Sequence, residues 1–219
     1  VVIDACERYM ALGLPKAEAL LLVEVDGGAE EARESRAAVE RILAACGATE
    51  VRVAKDDEER AKLWKSRKGA FAALASVLPD YYTMDGSIPR RALPEVLEQV
   101  YALGREYGMV IGNVFHAGDG NIHPCIFYDA AKAGELERSE ELGGKILELC
   151  IDHGGTITGE HGVGLEKLRQ MCLQFRDGEI AAFHAVKAAF DPAGILDPGK
   201  AVPTLKRCAE WGGLHVRGG

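Results

Sequence analysis

Apolar positions along this chain alternate in some stretches and recur every three or four residues in others, and the two periods mark out strands and helices. A short apolar helix over 1–12 ends near Gly13 and Pro15. From Ala19 to Asp26, Leu21, Val23 and Val25 fall on one side of an extended segment, which predicts a strand. Asp26-Gly27-Gly28 then turns into a helix over about 30–45, with Ala32, Val39, Ile42 and Leu43 inward. Glu50–Lys55 reads as a second strand. A long helix follows over 56–77, with a stripe of Trp64, Arg67, Phe71 and Leu74. A third strand (80–88) and a helix over 94–107, with Val96, Leu97, Val100 and Leu103 inward, lead to a hairpin. A helix over 135–152 stops at Gly154-Gly155, and helices over 165–175 and 177–190 precede breaks at Asp191-Pro192 and Asp197-Pro198-Gly199. In the tail over 203–219, Trp211 is a docking candidate and the last glycines are expected to fray.

This order predicts an α+β, ferredoxin-like domain over 1–153, an antiparallel sheet with helices on one face. A second segment, 154–219, is expected to carry a glycine-rich loop and to pack its helices on the first. No internal repeat is visible.

The hairpin carries a geometric expectation. Val110, Gly112, Val114 and His116 share one face of its first arm, and His123, Cys125 and Phe127 one face of its second. Asp119-Gly120 is the two-residue signal for a type I′ turn. With that turn His116 opposes His123, their Cβ atoms roughly 4.5–5.5 Å apart, close enough to share one small cation. A register shift of one residue would separate them. One helix later comes Gly159-Glu160-His161-Gly162-Val163-Gly164, where Glu160 and His161 point opposite ways if extended. One is then a third metal ligand, with zinc the foremost ion, and the other faces a substrate as acid or base. A histidine in a hairpin is commonly structural; the opposed pair together with Glu160-His161 shifts the balance to chemistry.

Arg67 occupies a position where the helical stripe asks for an apolar side chain. Either its methylenes cover the core while the guanidinium reaches water, or its planar fork meets a carboxylate.

With 219 residues, the chain is long enough to bury a core. Its net charge of −8 and lack of a basic cluster exclude nucleic-acid binding as an expectation. The six cysteines show no C-x-x-C spacing and fall on apolar stripes, the pattern of small hydrophobes in a reducing cytoplasm rather than of a disulfide framework. No run approaches a membrane span, and no signal peptide is expected. The chain has no initiator Met and reads as a fragment.

His116-Ala-Gly-Asp-Gly-Asn-Ile-His123-Pro124 together with Gly159-Glu-His-Gly-Val-Gly164 resembles the C-terminal domain of FAD-linked 2-hydroxyacid oxidases and dehydrogenases, within the vanillyl-alcohol-oxidase-type superfamily. The resemblance is to the glycolate oxidase catalytic subunit type in particular and runs from Glu18 to Lys200. It implies that His116, His123 and Glu160 hold a divalent metal, that His161 is the base or a substrate contact, and that Arg67, in Trp64-x-x-Arg67, binds the substrate carboxylate. It implies FAD as hydride acceptor, bound mainly by a preceding domain that this sequence lacks, with the Asp197-Pro-Gly-Lys200 turn near the flavin, where relatives have Asn-Pro-Gly-Lys. It also implies partner subunits, one carrying iron–sulfur clusters, and a cytoplasmic protein held peripherally at the inner membrane through them.

Two departures bear on the substrate. The hydroxyglutarate enzymes have an asparagine where this chain has Cys125, and a lysine in the strand where this chain reads Tyr82-Thr83-Met84-Asp85. Both favour a small 2-hydroxy acid such as glycolate or lactate over a dicarboxylate. The isolated chain is expected to be inactive and to expose apolar surface where the flavin domain docks. Two other classes remain open: a metal-dependent hydrolase with Glu160 as base, and a non-catalytic small-molecule-binding module.

Overall fold

The computed structural model describes residues 1–77 and 79–211, so the expectation for the terminal glycines lies outside the described residues. The chain divides into two compact units, Val1–Ser76 and Val77–Gly219. The segment after residue 153 therefore lies in the same unit as the hairpin.

The first unit is helical: α1 (Val2–Met10), α2 (Ala29–Ala45), α3 (Asp57–Lys68) and α4 (Ala70–Leu74). Asp56 caps α3 by accepting the Glu59 N–H at 2.8 Å. The expected single helix over 56–77 is broken at Gly69, and its buried face is Ser66, Ala70, Ala73 and Leu74. Arg67 therefore flanks the packed face instead of interrupting it. Apart from Leu74, small side chains make this face, so the large apolar Trp64 and Phe71 are the wrong guide to its phase. The strands expected over 19–26 and 50–55 join no ladder among the described residues. Alternation alone makes no strand without a ladder partner, and Leu21, Val23, Val51 and Val53 stay exposed.

Among the described residues, the sheet lies in the second unit. Its strands are β1 (Asp80–Thr83), β2 (Gly86–Ser87), β3 (Ile111–Asn113), β4 (Asn121–Ile122) and β5 (Pro124–Tyr128), with β5 between β1 and β3 and β2 beside β4. The expected strand over 80–88 is interrupted at Met84-Asp85, but the register carries through, with Tyr82 opposite Ile126 and Gly86 opposite Ile122. The result is one interrupted antiparallel ribbon, and the α+β class holds.

Strand alternation gives this ribbon two faces. Tyr82, Met84, Ile88, Ile122 and Ile126 face α5 (Leu93–Glu106) and α6 (Glu135–Asp152), and form the core with Val96, Val100, Leu142, Ile146 and Leu147. Asp85, His123 and Cys125 belong to the opposite face. Three further helices close the unit: α7 (Leu168–Gln174), α8 (Asp177–Phe190) and α9 (Leu205–Glu210). Around α8 and the turn after it, Val186, Phe190, Ile195 and Leu196 are strongly exposed. Trp211 is partly exposed at the end of α9.

A disulfide joins Cys172 of α7 to Cys208 of α9, against the thiol-only reading of the cysteines. Both residues lie on buried helix faces that meet across a separation of 36 residues, a proximity no local spacing reveals. Cys6, Cys125 and Cys150 are the buried apolar-type residues expected.

Gly120 has φ of 71°, and a Cβ there would lie 2.1 Å from the Ile88 carbonyl oxygen. The replacement Gly120→Ala is expected to destabilise the second unit by about 2 kcal/mol or more, read from urea unfolding; an unchanged midpoint would contradict this packing.

Candidate functional site

The hairpin differs in register from the Asp119-Gly120 expectation. His116 pairs with Asn121, its N–H donating to the Asn121 carbonyl at 2.9 Å, and Val114 donates to the His123 carbonyl at 3.4 Å. The loop is Ala117–Gly120, closed by the Asp119 N–H on the His116 carbonyl at 3.1 Å. Only Gly120 within it has positive φ, so the type I′ geometry, which needs two such residues, does not form. Relative to the expected pairing, the register slips by two residues. An even slip preserves the face, so His116 and His123 become diagonal neighbours with ring centroids 5.7 Å apart.

Glu160 is the point on which the histidines converge. Its Oε1 lies 2.8 Å from His123 Nε2, 3.7 Å from His161 Nε2 and 3.8 Å from His116 Nε2. The His123 and His161 rings stack at 5.0 Å. Glu160 and His161 thus serve the same cluster, against the opposite directions expected of extended neighbours, because their loop is curled rather than extended. Ligand-capable atoms of His116, His123 and Glu160 all lie within 4.8 Å of one another. His123 is buried, whereas His116, Glu160 and His161 are exposed, so one side of the cluster faces outward.

The curl has a visible cause. The buried Asp85 carboxylate accepts the backbone N–H groups of Gly159, Glu160 and His161 at 3.0, 3.1 and 2.9 Å, and the Thr158 hydroxyl at 2.7 Å. Lys167, itself buried, donates to an Asp85 carboxylate oxygen at 3.1 Å and to the Asp85 carbonyl at 2.8 Å. Burial alone would raise the Asp85 carboxyl, but the bonds from Thr158, His161 and Lys167 outweigh it and hold the group well below the ordinary carboxylate range. Gly159 is needed for the fit, since a Cβ there would stand 2.4 Å from the Asn121 side-chain oxygen.

His123 Nδ1 lies 3.3 Å from the Met84 carbonyl, which assigns the proton to Nδ1 and leaves the Nε2 lone pair facing Glu160. Burial lowers the His123 pKa, opposed by the Met84 carbonyl and the Asp85 and Glu160 carboxylates. A lone pair 2.8 Å from a carboxylate oxygen needs a cation between them or a proton on the ring. With burial disfavouring imidazolium, two imidazoles and a carboxylate fit a divalent ion.

The other expected site residues are carried by other elements. Arg67 is in the last turn of α3 in the first unit, its guanidinium 5.9 Å from the Phe71 ring centroid. Asp197 and Lys200 pair with each other at 2.9 Å in an exposed turn, next to which the Ala201 N–H donates to the Gly164 carbonyl at 2.8 Å. Cys125 is buried beside the cluster, its sulfur 3.6 Å from the Thr83 hydroxyl. Asp85, Thr158 and Lys167 were not foreseen. Alternation along 81–87 could have placed Asp85 on the histidine face, but nothing local pointed to Lys167.

A family profile described as "FAD linked oxidases, C-terminal domain" matches residues 1–201. The chain belongs to this family. It is 56% identical over 218 residues to the glycolate oxidase subunit GlcD of Escherichia coli (strain K12), covering 99% of this chain and 44% of that protein. It is 38% identical over 195 residues to the GlcD of Bacillus subtilis (strain 168), covering 89% and 42%. A probable mitochondrial D-lactate dehydrogenase of Danio rerio is 30% identical over 205 residues, covering 91% and 40%. The chain thus spans less than half the length of these FAD-linked relatives. In fold it is similar to a 4-ethylphenol oxidase from Gulosibacter chungangensis, with TM-score 0.56 at 15% identity over 80% of this chain and 38% of that one.

Lys167→Met leaves the Asp85 charge without its cation, and is expected to cost about 3 kcal/mol, the low end for a broken buried pair because four other donors remain. The Asp85 contribution is full above the ordinary carboxylate value of about 3.9 and is lost as pH falls below it. Urea unfolding at neutral and acid pH reads both effects; a variant as stable as the native chain would contradict them.

Proposed function

We propose that this chain is the substrate- and metal-holding part of an oxidoreductase that converts a small 2-hydroxy acid, of the glycolate or D-lactate type, into the 2-oxo acid. The observation that carries the reading is the convergence of His116, His123 and His161 on the Glu160 carboxylate, with the His123 Nε2 lone pair aimed at it from 2.8 Å. Membership in the FAD-linked oxidases supports the redox assignment.

His116, His123 and Glu160 would hold a divalent metal, zinc foremost, through two imidazole nitrogens and a carboxylate. When bound, FAD supplies the hydride acceptor and the metal a Lewis acid for the substrate hydroxyl. The chain's own residues do the rest. His161 Nε2, on the exposed side of the cluster, takes the hydroxyl proton as general base. Arg67 would bind the substrate carboxylate with its planar fork. Cys125 and the lysine-free Tyr82–Asp85 stretch offer no cation for a second carboxylate, and Lys167 is committed to Asp85. That favours a monocarboxylate.

FAD itself would be bound mainly by a separate domain, to which the Asp197–Lys200 turn contributes. The exposed apolar side chains around α8 suit a docked domain. Further subunits, including one with iron–sulfur clusters, would pass the electrons on, and nucleic acid is no partner. None of the described helices is long and apolar enough to cross a membrane, so the proposed cytoplasmic protein would reach the inner membrane through those subunits.

Anaerobic dye reduction by a protein uniting this chain with its FAD-binding domain tests the reading. Glycolate or D-lactate should be turned over, His161→Ala should lower kcat by about 10²–10⁴-fold, and this chain alone with added FAD should show no turnover. Preference for a dicarboxylate, or an unaffected His161→Ala variant, would overturn it.

A further inference from the structure

We infer that Asp85 and Thr158 are positioning residues that aim Glu160 and His161 at the metal, and that Asp85 is itself excluded from the ligand set. This inference rests on the metal reading proposed above. Two overlapping groups compete as ligand sets, since atoms of Asp85, His123 and His161 also lie within 4.8 Å of one another. The hydrogen bonds decide between them. A carboxylate offers about four lone-pair sites, and Asp85 has five donors: the Thr158 hydroxyl, three consecutive backbone N–H groups and the Lys167 ammonium. Nothing is left for a cation, and the ammonium at 3.1 Å opposes one. Glu160 Oε1, His116 and His161 are exposed and lie close to one another.

Thr158 closes the loop from the inside. Its hydroxyl donates to Asp85 at 2.7 Å and accepts the Gly162 N–H at 2.8 Å, while its carbonyl accepts the Thr156 hydroxyl at 2.6 Å. One oxygen thus ties both ends of the Glu160-His161 turn to the same carboxylate. Without it, two of the loop's constraints go together, and Glu160 is held less tightly within reach of His123.

The test measures zinc affinity by chelator competition on the protein that unites this chain with its FAD-binding domain. Thr158→Val keeps the shape and loses the hydroxyl; Thr158→Ser keeps the hydroxyl. The valine variant should bind zinc about 10–100-fold more weakly, the usual cost of removing an outer-shell partner, and serine should restore the native affinity. A merely structural role would shift the midpoint and leave the affinity alone. Zinc binding by the native protein with equal affinity in the valine variant overturns this inference and spares the proposed function. No zinc binding by the native protein overturns both. If the valine variant does not fold, hydrogen exchange of the native protein decides: the Gly159, Glu160 and His161 amides should exchange as slowly as those of β5, and rapid exchange overturns the inference.

Discussion

A carboxylate taken out of water is destabilising unless its lone pairs are used, and the geometry around Glu160 follows from how Asp85 meets that demand. Asp85 sits in the gap between β1 and β2 on the face of the ribbon away from α5 and α6. With the helices covering the other face, the donors must come from elsewhere in the chain, and the loop over 158–161 provides four of them. Three successive N–H groups can point at one centre only if the backbone curls around it. That curl puts Glu160 and His161 on the same side, towards His123.

Each neighbouring feature is fitted to that arrangement. Gly159 lets the loop lie against Asn121, and the Met84 carbonyl fixes the His123 tautomer. Lys167 neutralises the buried charge, so the negative potential of the site resides on Glu160. The result separates two carboxylates by environment: one buried, saturated and structural, the other exposed and available to a cation. This chain covers less than half the length of its FAD-linked relatives.

Much of this was legible in the sequence. Helical periods located α2, α5, α6 and α8, and glycine-flanked histidines located the cluster, because both signals are local. The hairpin was anticipated with its turn two residues too tight; the face survived because side-chain direction repeats every two residues. What escaped depended on partners distant in the chain. Asp85 and Lys167 are 82 residues apart, and the Cys172–Cys208 pair 36. Leu21, Val23, Val51 and Val53 carry a strand's alternation with no ladder to join among the described residues. Of the stripe Trp64, Arg67, Phe71 and Leu74, only Leu74 is on the buried face, whose phase is set with Ser66, Ala70 and Ala73.

The claim that these side chains form a metal centre is tested most directly by elemental analysis of the purified protein beside a His116→Ala, His123→Ala double variant. The account predicts about one equivalent of a divalent metal, zinc foremost, in the native protein, and its loss in the variant at retained fold. Metal absent from both, or bound equally by both, would contradict it.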